Sequence, residues 1–381
     1  MTSPLPSHVA VVGGGIFGAS TAAQLARRGV RVTLVTDAAL GSGASGRSLA
    51  WLNSAGQRSA EYHALRLAGI DRYRTWSARV PGSSDYLRFT GGLTWAPEGE
   101  SFADVFAYER SIGYDARWLS AGEIAAVTPG VNPASVAAEG AIFNPGEGWV
   151  DLPSVIAVLI AELTRRGGTI IENAGDAQPV VEDDRVIGVR TESGERIVAD
   201  AVVLATGPDV PDHLARLGVT IGTQSPVAFV AFTKPVDTEL VAVLNTPLVA
   251  VRRTVGGGLA LDSAWSEEEI EIADDGAIVV HDATLDRLLE QGSRVLAGNP
   301  TLELDHVGAG FKPIPADGEP VIGAIEEIGG LYAAFSHSGA TLGLITGELL
   351  AEEIATGVAS PLLATFRSAR FTREHELTAT P

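Results

Sequence analysis

Residues 8–37 read HVAVVGGGIFGASTAAQLARRGVRVTLVTD, and the order of elements in this stretch decides the fold. Residues 9–12 are an apolar run, long enough for a buried strand and too short for a helix. Gly13, Gly15 and Gly18 follow as G-x-G-x-x-G; helix formers run from Ala19 to Arg28, and Gly29 stands where a helix stop belongs. Residues 30–35 are β-branched and predict a second strand. A strand, a glycine turn, a helix and a strand in that order predict a βαβ dinucleotide site. Gly13 suits the tight turn, Gly15 the approach of backbone to a pyrophosphate, and Gly18 the contact of helix with strand. The glycine motif alone would be weak, and its setting carries the inference. A ribose-binding acid belongs at the end of the second strand, about 20 residues on. Thr36 occupies that place and Asp37 is the next residue.

Composition narrows the class. At 381 residues the chain is long enough for two domains, and 45% hydrophobic with 19% charged residues describes an ordinary globular protein. A net charge of −20 repels phosphate backbones and anionic lipid, which argues against nucleic-acid partners and membrane docking. With no cysteine, disulfides, iron–sulfur clusters, thiolate zinc and a cysteinyl flavin link are all excluded. No apolar stretch approaches the roughly 20 residues of a membrane span, and the first apolar run has no basic leader. The expectation is a cytoplasmic protein without an integral membrane segment, and no pattern specifies an oligomer.

Beyond the opening unit the chain breaks into short elements. Residues 41–48 are small and suit a loop folded closely over a ligand. A helix is predicted over 61–79, ending at Pro81-Gly82, and two short strands over 86–96 around Gly91-Gly92. Residues 101–128 read as helical with a break at 111–116 and a capping box from Ser120 to Glu123. A helix follows over 153–166, then strands at 169–171, 186–190, 197–198 and 199–205, the last running into a small-residue turn at Thr206 and Gly207. Strands at 227–232, 248–253 and 259–262 predict a second sheet, with a helix at 285–297 after it. The last unit has a strand at 331–335, a Ser/Gly loop and a helix to Ile354, and a frayed tail is expected after Thr372.

With both ends read, the chain resembles the FAD-dependent amine and amino-acid oxidoreductases, the group of D-amino-acid oxidase, glycine oxidase and monomeric sarcosine oxidase. The resemblance rests on VAVVGGGIFGAS, GSGASGRS, GWVD at 148–151, ADAVVLATG, FKPIPADGEPVIG and SHSGATLGLITG, in that order. It implies an α/β fold: a Rossmann-type FAD-binding domain over 1–85, 146–220 and 306–381, interleaved with a substrate domain over 86–145 and 221–305. The substrate domain is implied to be a large antiparallel or mixed sheet. Carried over by position, Gly13, Gly15, Ile16, Phe17 and Gly18 hold the pyrophosphate, and Thr36 or Asp37 meets the ribose. Ser45, Gly46, Arg47, Ser48 and Leu49 line the FAD, with Thr206 and Gly207 beside it. Ser338, Gly339, Ala340, Thr341 and Leu342 pass over the pyrimidine edge of the flavin. A helix starting there would turn its unpaired N–H groups and positive dipole end toward that edge. Without cysteine, the FAD is expected to be non-covalent.

The implied activity is oxidation of the C–N bond of an amino acid or secondary amine, giving an imine. Oxygen is the expected acceptor, with a dehydrogenase using a quinone or protein acceptor, or a flavin-binding subunit of a hetero-oligomer, as alternatives. A substrate carboxylate calls for a cation, and two positions compete. Lys312 stands where glycine oxidase carries a carboxylate-binding arginine, and a lysine there pairs as a point charge and not as a planar fork. Arg252 lies on the same face of its strand as Ala250 by alternation. His337 and Trp51 are further candidates for the substrate side, whereas Arg58, Tyr62 and His63 read as packing or surface residues. The lysine of the sarcosine oxidase G-G-x-G-L-K-L stretch corresponds to Ala260 here, in GGGLAL.

Overall fold

A computed structural model describes residues 6–371, so the tail expected to fray after Thr372 lies outside the described residues. The chain divides into two units, one of residues 1–46, 152–226 and 311–381, the other of residues 47–151 and 227–310.

The first unit is built on the predicted strand β1 (His8–Val12), helix α1 (Ile16–Arg27) and strand β2 (Arg31–Val35). Its six-stranded sheet runs Val321–Ala324, Leu331–Phe335, Ala201–Leu204, β1, β2, Thr169–Ile171. Every neighbouring pair is parallel except the edge pair of Val321–Ala324 with Leu331–Phe335. β1 is buried along its whole length, which is why it reads as an unbroken apolar run and not as an alternating one. Close contacts explain the glycines. A Cβ at Gly18 would lie 1.9 Å from the Gly13 carbonyl oxygen, and one at Gly13 would lie 2.3 Å from that of Ala205. The long helix Gly339–Thr356 packs against α1 with Gly347 over Ser20, where a Cβ would fall 2.1 Å from Ser20 Oγ.

A small antiparallel sheet of Gln178–Glu182, Arg185–Arg190 and Arg196–Val198 also belongs to this unit. Asp183 and Asp184 make its first turn with φ of 48° and 55°. The sequence reading lacked Gln178–Glu182 because Pro179 interrupts it, and proline is tolerated there because the strand is an edge.

The second unit holds an eight-stranded mixed sheet in the order Leu304–Phe311, Val227–Thr233, Leu259–Asp262, Ala250–Arg253, Val243–Asn245, Gly92–Thr94, Ala141–Asn144, Arg117–Leu119. Val243–Asn245 pairs in parallel with Gly92–Thr94. Phe229, Val251, Leu261, Leu93 and Phe143 from this sheet pack with Ile124 and with Leu285 and Leu288 of the helix Asp282–Val295. A separate three-stranded sheet joins Trp51–Leu52, Gly148–Val150 and Leu87–Arg88.

Two expectations are corrected, and the observed units are drawn differently from the expected domains. The strands expected around Gly91-Gly92 form at Leu87–Arg88 and Gly92–Thr94, but in different sheets, with Gly91 turning the chain at φ 88°. The helical stretch 101–128 contains the strand Arg117–Leu119 between helices Ala103–Ser111 and Ala121–Val127, the second opened by the Ser120–Glu123 capping box. Residues 47–85, grouped with the FAD-binding domain by resemblance, lie in the second unit. Trp51–Leu52 pairs with Gly148–Val150, and the helix Ala60–Ser77 is tied to the segment at 53 through Arg66.

The Gly347–Ser20 contact leaves no room for a side chain. Gly347→Val is expected to destabilise the protein by about 1–3 kcal/mol through overpacking, read as a lowered midpoint in thermal denaturation. A variant that melts with the wild type would contradict the contact.

Candidate functional site

The glycine turn of the first unit is tied down by its backbone. Gly13 N donates to Val35 O at 2.8 Å and Ala205 N to Val12 O at 2.8 Å. The Gly/Ser loop folds back on it: Gly41 N donates to Gly14 O at 3.0 Å, and Ile16 N donates to Ser45 Oγ at 3.0 Å. Gly46 packs on Gly41, where a Cβ would lie 2.5 Å from the carbonyl oxygen. Gly15 caps α1 without a side-chain bond, and a Cβ there would meet only Ser45 Oγ, at 3.2 Å. Ile16, Phe17 and Gly18 are buried in the first turn of the helix. Thr206 Oγ1, in the segment touching Gly13, is buried with no partner. A helix start without a cap bond from its own N-cap residue, a glycine at its head and the orphaned Thr206 hydroxyl fit a diphosphate group such as that of FAD. Gly207, at φ 65°, turns the chain next to Thr206.

The second helix start lies close by in the same unit. Gly339–Thr356 begins at Ser338, which makes no side-chain cap bond, and a Cβ at Gly339 would lie 3.8 Å from Ile16 Cγ2. Two positive helix ends therefore sit together, an arrangement that favours an anion. Ser338, Thr341 and Leu342 are buried, Gly339 and Ala340 are half-buried, and His337 is exposed in the turn that precedes them. At the end of β2, Thr36 is 1% exposed and donates from Oγ1 to Asp37 Oδ1 at 3.2 Å, whereas Asp37 is exposed. Of the two, Asp37 is the one open to solvent.

The remaining predicted residues have varied surroundings. In the first unit, Lys312 is half-buried, and its backbone N–H donates to Pro226 O at 2.8 Å. In the second, Arg47 is exposed and lies along Gly308 and Gly310, donating to Ala309 O. Arg252 is 3% exposed, and its guanidinium donates to the carbonyls of Leu49, Arg253 (2.8 Å) and Ser48 (3.4 Å). It also lies 5.3 Å from the centroid of the Trp149 ring. Burial lowers its pKa to about 10, which leaves it charged at neutral pH. Arg252 thus holds the backbone at Ser48 and Leu49 in place, and its donors face carbonyls. Three of its N–H groups are engaged in these bonds. Ala260 is fully buried and is the cross-strand partner of Arg252. A groove of about 330 Å³ in this unit, lined by Arg88, Trp149, Val241, Arg253 and Val255 among others, contains none of the predicted residues.

Trp51 belongs to a buried polar cluster that the sequence reading missed. Its Nε1 donates to Glu147 Oε2 at 2.8 Å, and Tyr114 Oη donates to Glu147 Oε1 at 2.5 Å. Glu147 is fully buried, and burial pushes its carboxyl up to about 8, against the pull of the Tyr114 and Trp51 donors. Ser54 N donates to Tyr114 Oη at 3.0 Å, and Ser54 Oγ bonds His63 Nδ1 at 2.8 Å. His63 and Tyr62, read as packing or surface residues, are buried; Arg58 is half-buried. The only signal was the placing of Glu147 directly before G-W-V-D, and an acid beside glycine and proline reads as an exposed turn. Among the described residues no cluster of His, Cys, Asp and Glu is suited to a metal ion, and no helix is long and apolar enough to cross a membrane.

A model of the FAD dependent oxidoreductase family matches residues 8–353. The chain belongs to that family. It is therefore an FAD-dependent oxidoreductase, and FAD is its cofactor. Glycine oxidase of Geobacillus kaustophilus is 26% identical over 371 residues, spanning 90% of this chain and 92% of that protein. D-amino acid dehydrogenase of Agrobacterium fabrum is 26% identical over 322 residues, 76% of this chain and 74% of that one. The crystal structure of L-proline dehydrogenase from P. horikoshii shares the fold with a TM-score of 0.79 at 21% identity, covering 98% of this chain and 99% of the other.

Proposed function

We propose that this oxidoreductase oxidises the C–N bond of an amino acid or an N-substituted amino acid, releasing an imine that water hydrolyses. The observation that carries the reading is the pair of neighbouring helix starts at Gly15 and Ser338, where a Cβ at Gly339 would lie 3.8 Å from Ile16 Cγ2. Bound FAD supplies the two-electron acceptor for hydride from the substrate α-carbon. Gly13, Gly15 and Gly18 with Ser45 and Thr206 hold its diphosphate, Asp37 its ribose, and the turn at 338–342 the flavin edge where negative charge collects. The FAD is held non-covalently. The likeness to glycine oxidase and D-amino acid dehydrogenase, whose names give amino-acid substrates, supports the substrate class.

The enzyme's own part in the chemistry is to hold the substrate in register and the flavin in place. Lys312, which stands where the resemblance puts a carboxylate-binding cation, grips the substrate carboxylate, and Arg252 holds the carbonyls of Ser48, Leu49 and Arg253. Trp51 forms a wall of the substrate pocket, and His337, exposed in its turn, orients the amine side. Oxygen is the proposed acceptor. A second reading passes the electrons to a quinone or a partner protein. It is favoured by the buried Ala260 in the place of a lysine, and by the likeness to a D-amino acid dehydrogenase. The protein works in the cytoplasm.

Two variants test the assignments. Gly15→Val is expected to purify folded but with little flavin, because its side chain fills the space left for the diphosphate; full flavin content by absorbance would remove Gly15 from the site. Lys312→Ala is expected to raise KM for amino acids by about a hundredfold, in line with loss of a charge-assisted contact of about 3 kcal/mol, with flavin content unchanged. An unaltered KM would exclude Lys312 as the carboxylate ligand, and oxygen consumption by the wild type decides the acceptor.

A further inference from the structure

The Glu147 cluster has a function that the oxidoreductase reading does not use. Four positions of the segment 51–56 are fastened from the side. Trp51 is held by Glu147, Ser54 by Tyr114 and His63, and Gly56 N by Glu109 Oε1 at 2.8 Å. Asn53 receives Arg66 at its carbonyl (2.9 Å) and at its side-chain oxygen (2.8 Å). Glu109 is itself buried and accepts a second bond from Asn144 Nδ2 at 2.9 Å. Space for the Glu147 carboxyl exists because residue 92 is glycine: a Cβ there would lie 2.2 Å from Glu147 Oε2 and 3.1 Å from Trp51 Nε1. The 92 position, the 147 turn, Tyr114 and Trp51 thus meet at one carboxyl group.

We propose that Glu147 is a positioning residue: held between Tyr114 and Gly92, its carboxyl group fixes the Trp51 indole, and through that ring the shape of the substrate pocket. The inference rests on the reading of Trp51 as a pocket wall. Glu147 makes no ion pair with the described residues, so its charge state is set by burial and by the groups that face it. These are Tyr114 at 2.5 Å, Trp51 at 2.8 Å, Glu109 from the helix Ala103–Ser111, Arg66 from the helix Ala60–Ser77, and Arg58 just before that helix. Glu109 and burial favour the neutral acid, while the Tyr114 and Trp51 donors and Arg66 favour the anion.

The sign of the pH effect follows. The folded-state value lies above the ordinary 4.5, so the protein takes up a proton at Glu147 on folding between 4.5 and about 8. The stability this contributes is complete below that window and is lost as pH rises through it. Above it a negative charge stands against the indole and disfavours a substrate carboxylate nearby. KM for amino-acid anions therefore rises on the alkaline side, while kcat changes little.

The test pairs a measurement without substrate with one that needs turnover. In flavin-free protein, tryptophan fluorescence followed from pH 6 to 10 is expected to show a step in the wild type that is absent from both Glu147→Gln and Trp51→Phe. In the holoenzyme, Glu147→Ala is expected to raise KM by about tenfold, the size of one lost buried hydrogen bond, with kcat within about threefold. Glu147→Gln keeps an acceptor for the indole N–H; it should recover most of that loss and flatten the alkaline rise in KM. Trp51→Phe should reproduce the KM increase, and adding Glu147→Ala to it should add little. If Glu147→Ala does not fold, Glu147→Gln and Trp51→Phe carry the test. Absence of the fluorescence step in the wild type overturns the proposal whatever the substrate proves to be. A step without any KM change in the variants overturns the link to the pocket. If no amine is turned over, the reading of function fails instead, and the step alone decides the coupling of Glu147 to Trp51.

Discussion

Everything in the first unit depends on how closely α1 approaches its neighbours. Gly18 lies on the Gly13 carbonyl, Gly13 on Ala205, and Gly347 on Ser20, each at a distance where a Cβ would overlap another atom. These contacts do more than fill space. They set the depth of α1 against the sheet and bring the start of the helix Gly339–Thr356 beside its own start. Two helix starts beside each other carry partial positive charge, which an anion such as a diphosphate offsets. The same small residues that make the helices pack are those that leave the backbone N–H groups accessible. Fold and cofactor site are in this sense one constraint.

The second unit solves a different problem. The segment after Gly46 buries Ala50 and Leu52 and is fastened from the side by polar groups. Arg252 holds the carbonyls of Ser48 and Leu49, Arg66 holds Asn53, and Glu109, Tyr114 and His63 hold positions 54 and 56. A buried guanidinium is expensive to desolvate, and three carbonyls with an aromatic ring beneath it offset that cost. Truncating it would leave those carbonyls unpaired and the segment loose.

The difference between the units is also the difference in what the sequence reveals. The βαβ unit was legible because its signals are local: an apolar run, glycines at fixed spacing, helix formers and a stop within thirty residues. The final helix and the strand Leu331–Phe335 were read for the same reason. The strand Leu304–Phe311 was not, because Asp305, His306, Gly308 and Gly310 break any apolar pattern; the glycines are there because Arg47 lies across them. Alternation placed Arg252 on the correct strand but says nothing of the carbonyls opposite. Glu147 stood out only by its place before G-W-V-D, since its neighbours at 51, 92 and 114 are distant in the chain.

The central claim is that this family member oxidises the C–N bond of amino acids with its FAD. The most direct test is the visible spectrum of the flavin-loaded protein, recorded without oxygen while D-, L- and N-methyl amino acids are added in turn. The account predicts that at least one of these classes bleaches the flavin band, and that the same compounds lacking the carboxylate do so far less readily. A flavin band that none of these amino acids bleaches would contradict it.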